Sequence, residues 1–417
     1  MPMEAIAAEK VEKSAGSGPR FVPEPAEFPG EPGWLGALRR EAFGRFESLG
    51  FPTPKDEAWR YTGLQTITEI PWTRGAWAPR LAKPLPSGAR LLTPAGAEGR
   101  LGRIVPFEKN AFAALNTALF EGAGALILEI APGAVLAEPI EIVIDAGAPD
   151  SAEAAYPRVL ILAGERSESS VVESYVGSGR TFTNAVTEIA LAPGAILEHT
   201  KLQEESLEAR HVHTVAVQQA RGSRFTSHNV ALGSALARTD LSAVLGGEGA
   251  ECALYGLFVG RGRQHLDNRT VIDHVTPHTT SRELYKGVMD GASRGVFHGT
   301  IVVRPDAQKT DAVQTNKNLL LSREALVNST PALEIFADDV KCKHGSTTGQ
   351  LDAAALFYLR SRGIGEPEAR ALLTWAFAAD VAEKIRVPSI RRRVERELGQ
   401  RLPGAESAAT STPGGAA

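Results

Sequence analysis

Cys342 and His344 lie one residue apart in Lys341-Cys342-Lys343-His344. Side chains alternate along an extended strand, so the thiol and the imidazole share one face and the lysines point away. A thiolate and an imidazole so placed can reach one metal ion, and the flanking ammonium groups are expected to favour the thiolate. The same spacing also suits a small buried thiol beside a surface imidazole. Two ligands leave a metal site unfinished, so a real site here draws the rest from another segment or another chain. The other cysteine, Cys252, sits in the apolar run ECALYGLF and reads as core. His211 and His213 share a strand face with Val215 and Val217 and read as structural, at the cost of burying two imidazoles. The densest polar stretch, residues 265 to 318, holds His265, Asp273, His274, His278, Glu283, Lys286 and His298. Its residue types suit borderline metals, but no pair has HExxH spacing, and solvated or hydrogen-bonded strand side chains serve as well.

Several chemistries are missing. There is no G-x-x-x-x-G-K-[ST] loop, no strand–GxGxxG–helix signature, no G-x-S-x-G elbow and no CxxC. Nucleotide hydrolysis by this chain is therefore not expected. Two cysteines in 417 residues make neither a disulfide framework nor a four-thiolate site, and their scarcity fits a reducing compartment. A net charge of −4 gives no basic excess for nucleic acid. No stretch of 18 apolar residues predicts a membrane span, and Glu4, Glu9 and Glu12 do not suit a secretory leader, so a cytoplasmic protein is expected.

The elements that would carry these residues are mostly strands. Glycine is abundant (41 residues) and aromatics are few (6%), which suits aliphatic strands and many turns. Residues 33 to 48 carry Leu35, Leu38, Phe43 and Phe46 at helical spacing, with Gly50 and Pro52 as the stop. The Pro-rich PTPKDEAWRYT follows, and residues 62 to 124 are weakly patterned. From about 125, IAPGAVL, LAPGAIL, QARGSRF and LGGEGAE place Gly133, Gly194, Gly222 and Gly249 at gaps of 61, 28 and 27. LAGERSE, centred on Arg166, fills the double gap. A period near 28 with two or three strands per unit predicts a β-solenoid; the competing sandwich expects Asn-Gly or Asp-Gly hairpins, and Asp290-Gly291 is the sole one. After Gly349 the pattern turns helical. Asp352 caps a helix ending at Gly363, and Pro367 opens a second with Leu372, Leu373, Ala376, Phe377 and Val381 on one face. Pro388 opens a third, where Arg391, Arg392, Arg393 and Arg396 read as a solvated face. The expected division is a flexible arm (1–30), an N-terminal helical and mixed domain (31–124), a β-helix core (125–350), a C-terminal helical domain (351–401) and a disordered tail (402–417).

DHVTPHTTSRELYKGVMDGASRGVFHGTIVVRPDAQKTDAVQTNKNLLLS, followed by LEIFADDVKCKHGSTTGQLDAAALFYLRSRGI, resembles the SufB/SufD family of iron–sulfur cluster assembly proteins. PTPKDEAWRYT resembles the N-terminal element of the SufD branch. The resemblance implies a mainly β protein, a right-handed parallel β-helix between N- and C-terminal α-helical domains. It also implies a heterodimer with SufB that carries the SufC ATPase on the C-terminal helical domains. SufB-like chains read roughly CEHE where this chain reads CKHG, and they carry more cysteines; both points favour the SufD branch. By the same resemblance, His344 lies at the SufB interface and helps hold a transient Fe–S cluster. Cys342 is a second candidate ligand, and the Leu372 to Leu398 region, with Leu372, Leu373, Phe377 and Val381, docks SufC. Flavin participation is left open.

The function expected is thus a scaffold subunit and not an enzyme by itself. Two other classes compete. One is a homodimeric scaffold working without SufB. The other is a β-helix carbohydrate-active enzyme, which the low aromatic content disfavours.

Overall fold

The computed structural model describes residues 21–401 apart from Ala123. The expected tail, 402–417, and the first 20 residues of the expected arm lie outside the described residues. The N-terminal segment contains α1 (Gly33–Leu49), a 3-10 turn (Glu57–Trp59), α2 (Gln65–Thr68), the short strands β1 (Thr73–Arg74), β2 (Arg80–Leu81) and β3 (Ala89–Leu91), and α3 (Ala111–Leu119). α1 stops where Gly50 adopts φ +63° and its N–H donates back to the Phe46 carbonyl. The side chain of Asn110 caps α3 by accepting from the N–H groups of Phe112 and Ala113.

The chain then coils. Its strands are β4 (Leu126–Ile130), β5 (Ile140–Asp145), β6 (Glu153–Ala155), β7 (Arg158–Ala163), β8 (Glu168–Val176), β9 (Thr181–Leu191), β10 (Ile196–Gln203), β11 (Arg210–Gln219) and β12 (Arg224–Ala231). They continue as β13 (Leu236–Leu245), β14 (Glu251–Gly260), β15 (His265–His274), β16 (Thr280–Met289), β17 (Arg294–Val303), β18 (Asp311–Leu320), β19 (Leu326–Ile335) and β20 (Lys341–Gly349). Alternate strands fall into two sheets, in the orders β4-β7-β9-β11-β13-β15-β17-β19 and β5-β8-β10-β12-β14-β16-β18-β20. Every neighbouring pair on these two paths is parallel. This is the expected β-solenoid, of about 8 turns with two long strands per turn.

The predicted repeat positions form one corner of the coil. Gly133, Gly194, Gly222 and Gly249 all have positive φ, and Arg166 does too, at +54°. His278 (+58°) and Lys309 (+63°) continue the series where the glycine motif disappears. Each corner N–H donates to a carbonyl of the next coil: Gly133 to Glu165, Arg166 to Pro193, Gly194 to Arg221, Gly222 to Glu248, Gly249 to Pro277, His278 to Gln308 and Lys309 to Asp339. The left-handed corner aims an amide along the solenoid axis, which is why glycine recurs there.

Inward side chains fill the solenoid with stacked aliphatics, including Ile142, Ile161, Ile189, Leu197, Val215, Leu241, Leu254, Ile272 and Ile301. The outer face of the first sheet is covered by the N-terminal segment, through Leu35, Phe112, Leu115 and Phe120 against Leu160, Phe182, Val186 and Val212. Of the C-terminal helices α4 (Ala353–Ser361), α5 (Glu366–Ala382) and α6 (Pro388–Arg401), the last two cover the outer face of the second sheet, and α4 packs on α5. The two ends of the coil differ. At the first end β2 and β3 pair antiparallel with β5 and β4 and occupy their edges. At the last end β19 and β20 each terminate a sheet with one edge unpaired among the described residues.

Candidate functional site

β20 carries Cys342 and His344 on this last coil. In register, Cys342 lies beside Ala312 and His344 beside Gln314 of β18. Cys342 is half-buried and packs on the solenoid core. The alternate residues Ser346 and Thr348 also meet the interior: Ser346 Oγ lies 2.7 Å from Ser329 Oγ of β19, and Thr348 Oγ1 accepts from Asn318 Nδ2 at 3.3 Å. Strand alternation therefore puts His344 on the same inward face, at the open mouth of the coil, where it is solvent-exposed. Lys341 and Lys343 occupy the opposite face and are exposed. Their expected effect on the thiol is overturned. Burial pushes the Cys342 thiol up, and the Asp311 carboxylate adds to this against a backbone hydrogen bond from Ala312. Cys252 is fully buried in the same inward column, through Ser281 and Ala312 to Cys342, and burial raises its thiol far more.

The remaining sequence candidates do not converge. His274 is buried, with Nδ1 at 2.7 Å from Thr279 Oγ1 and Nε2 at 2.9 Å from Ser281 Oγ. His278 is a corner residue, and Asp273 pairs with Arg304 on the surface. Lys286 lies under α5, while His265 contacts Thr62 of the N-terminal segment. His298 stands beside Arg269 on the first sheet. Among the described residues no three His, Cys, Asp or Glu side chains are grouped to hold a metal ion.

One constellation escaped the sequence reading. Inside the coil Glu173 accepts from Tyr175 (2.7 Å) and Thr187 (3.0 Å) and lies 2.9 Å from His199. Glu205 lies 2.8 Å from His211 and accepts from Thr183 and Gln203. Lys201 stacks in register between Glu173 and Asn229 and donates to Thr239 at 2.7 Å. Burial pulls its ammonium down to about 7, against the attraction of Glu205, Glu173 and Asp240. Burial and then the Lys201 charge hold the His211 and His213 imidazoles below their ordinary value. Glu205 beside His211 and the Thr187 hydroxyl, 3.0 Å from His213 Nε2, offset only part of the cost of burying two imidazoles, since His211 Nε2 and His213 Nδ1 have no partner among the described residues. The usable signal was the period itself: Glu173, Lys201 and Asn229 recur at the spacing of the corner glycines.

The C-terminal helices are held down by polar anchors. Lys286 Nζ donates to the Phe377 carbonyl at 2.9 Å, lies 2.6 Å from Asp380 and sits over the Phe377 ring. Val381 is buried against the sheet, so Phe377 and Val381 fasten α5 to its own solenoid instead of facing outward. Leu372 and Leu373 are half-buried and Ala376 is exposed; the buried stripe runs through Ala371, Thr374, Ala378 and Val381. Arg393 is no solvated side chain: it donates to Ser174 and pairs with Glu204. Within the C-terminal helices the large exposed apolar side chains are on α4, where Phe357 is 73% and Tyr358 57% exposed.

Residues 144–377, from within β5 to within α5, match the model of the SufBD core domain of the SUF system for Fe–S cluster assembly. The chain belongs to the SufBD family of iron–sulfur cluster assembly proteins. It is 38% identical over 242 residues to the iron–sulfur cluster assembly protein SufD of Escherichia coli, covering 58% of this chain and 57% of that protein. Over 250 residues it is 35% identical to a SufBD family protein of Synechocystis, 55% of which is covered. A SufBD family protein of Mycobacterium leprae is 30% identical over 385 residues, 89% of this chain and 96% of that one. The SufBD match contains the Cys342–His344 element, α4 and the Lys286 anchor. No described helix is long and apolar enough to cross a membrane.

Proposed function

We propose that this chain is a SufD-like scaffold subunit that pairs with SufB through its last coil. There it contributes His344, with Cys342 as a second ligand, to a nascent Fe–S cluster completed by SufB. The observation that carries this reading is the open last coil, where one thiol and one imidazole face the mouth and, among the described residues, no third ligand is grouped with them. Half a ligand set on an unpaired edge is what a shared site requires of one partner. The cluster is cargo, built here and passed on.

In this reading residues 125–350 form the core, 31–124 brace its first end, and 351–401 dock the SufC ATPase through the apolar surface of α4 with Leu372 and Leu373. Nucleotide-driven movement of SufC would reach the solenoid through α5 and its Lys286 anchor. The cytoplasm is the compartment proposed. The test is co-expression with SufB and SufC, purification of the complex, and assay of iron and acid-labile sulfide. His344→Ala is expected to leave the complex intact and lower its cluster content several-fold. Wild-type iron and sulfide in that variant would remove His344 from the ligand set.

A further inference from the structure

On the outer face of the first sheet, beside the N-terminal segment, lies a groove of about 370 Å³. Its floor is made by Ala216, Ser242 and Val271 on β11, β13 and β15, and its wall by Pro106, Glu108 and Lys109. Arg269 enters from the side, and the Asp240 carboxylate also reaches the lining. Several of the charges around it are already paired. Arg238 donates to Asp240 (2.9 and 2.8 Å), to Asp267 (2.9 Å) and to the Ala58 carbonyl (2.7 Å), and lies 3.6 Å over the Trp59 ring. Asp267 also accepts from Thr62 at 2.6 Å.

Arg269 is different. It is 9% exposed, and its sole polar contact among the described residues is a long one from Nε to Asp267, at 3.3–3.4 Å. Both terminal nitrogens are without an acceptor among the described residues. A guanidinium presents a planar fork of N–H groups that matches an oxyanion, and the two terminal nitrogens still reach solvent in the groove, open to such a partner. Lys109 adds a second positive charge and Glu108 beside it a negative one, while the Asp240 carboxylate is taken up by Arg238, and the floor is apolar or small. Volume, apolar floor and convergent donors are the features of a small-ligand site.

We propose that this groove binds a small molecule bearing a carboxylate or phosphate on an apolar body of about one ring. The anion would take the free fork of Arg269, and the body would lie across Ser242 and Val271. Such a ligand touches both the sheet and the Pro106–Asn110 loop, so it would fasten the N-terminal segment to the solenoid. The site is distinct from the Cys342–His344 coil and does not depend on that reading.

The test uses the full chain with benzoate, phenyl phosphate and benzyl alcohol, followed by ligand-observed NMR and by the melting temperature. Both anions are expected to bind saturably and raise Tm, at least about tenfold more tightly than benzyl alcohol, as a charged hydrogen bond supplies. The preferred anion identifies carboxylate or phosphate. Arg269→Gln should erase the preference for anions. Ser242→Phe, which fills the groove from a surface-facing strand position without touching Arg269, should abolish binding of all three with circular dichroism unchanged. Absence of saturable binding by either anion, equal affinity for benzyl alcohol, or undiminished binding in a folded Ser242→Phe variant would each overturn the site.

Discussion

Glu283 shows how much a single residue's setting departs from its type. It is buried in the inward column between Leu254 and Gln314, accepts from Gln314 Nε2 at 2.7 Å, and burial raises its carboxyl from 4.5 to about 7. The folded protein therefore holds a proton there that the unfolded chain has released once pH exceeds 4.5. Stability supplied by the neutral acid is complete below that pH and is lost as pH rises towards 7. Glu283→Gln is expected to flatten this fall. It should gain on the order of 1–3 kcal/mol over wild type at pH 8 and little at pH 4, read from urea midpoints. Arg158 and Glu188 make the opposite case. Both side chains are fully buried, 2.8 Å apart, and Glu188 also accepts from the N–H groups of Gly102, Ile104 and Val105. Arg158→Ala strands that carboxylate and should cost about 3–5 kcal/mol of unfolding free energy. The shared face of Cys342 and His344 was legible because alternation in a strand is geometric. The raised thiol was not, because it depends on which neighbours bury it. Lys201 was hidden for the same reason: a lysine inside a strand reads as a solvent-facing residue until the coil closes around it.

At the scale of elements, the corner glycines were legible and the N-terminal segment was not. The corners repeat a backbone requirement, and Gly133, Gly194, Gly222 and Gly249 all meet it with positive φ. No neighbour lies near a side chain added at Gly222, so replacement there tests backbone strain alone. Gly222→Val should cost about 1–2 kcal/mol and Gly222→Asn less, by thermal or chemical melting. Residues 62 to 124 resisted assignment because their order comes from elsewhere. α2 spans four residues, β1 to β3 two or three each, and the loop at 102–105 is organised by Glu188 of β9. The face of α5 was legible only in part. Of Leu372, Leu373, Phe377 and Val381, the last two do pack towards the sheet, while Leu372 and Leu373 are half-buried and the closest approach is on the smaller Ala371, Thr374 and Ala378. Lys286→Met removes the bond to the Phe377 carbonyl and the Asp380 pair. It should raise the proteolytic sensitivity of the stretch after α5 while far-ultraviolet dichroism stays close to wild type. Unchanged cleavage would show that apolar packing alone fastens the helix.

Across the whole molecule, the repeat foretold a coil but not which outer face each flanking segment covers. That choice rests on long-range partners such as Arg238 with Trp59 and Arg393 with Glu204, which share no sequence period. The described molecule is graded along its axis. Strands β10 to β17 have two neighbours each, and β19 and β20 have one. Amide exchange in the isolated chain should be slowest in the middle coils and fastest, among the solenoid strands, in Lys341–Gly349. Binding of the proposed partner should slow exchange in that last strand above all, whereas protection confined to α4 would move the pairing surface away from the coil mouth. The contrast between the two ends carries one more consequence. Antiparallel β2 and β3, two and three residues long, occupy the edges at the first end, so among the described residues only the last end presents long parallel strands, β19 and β20, for end-to-end pairing. Such a body has a valence of one. Joined to a partner built the same way it stops at a pair, whereas a coil with two free edges would propagate into a fibre.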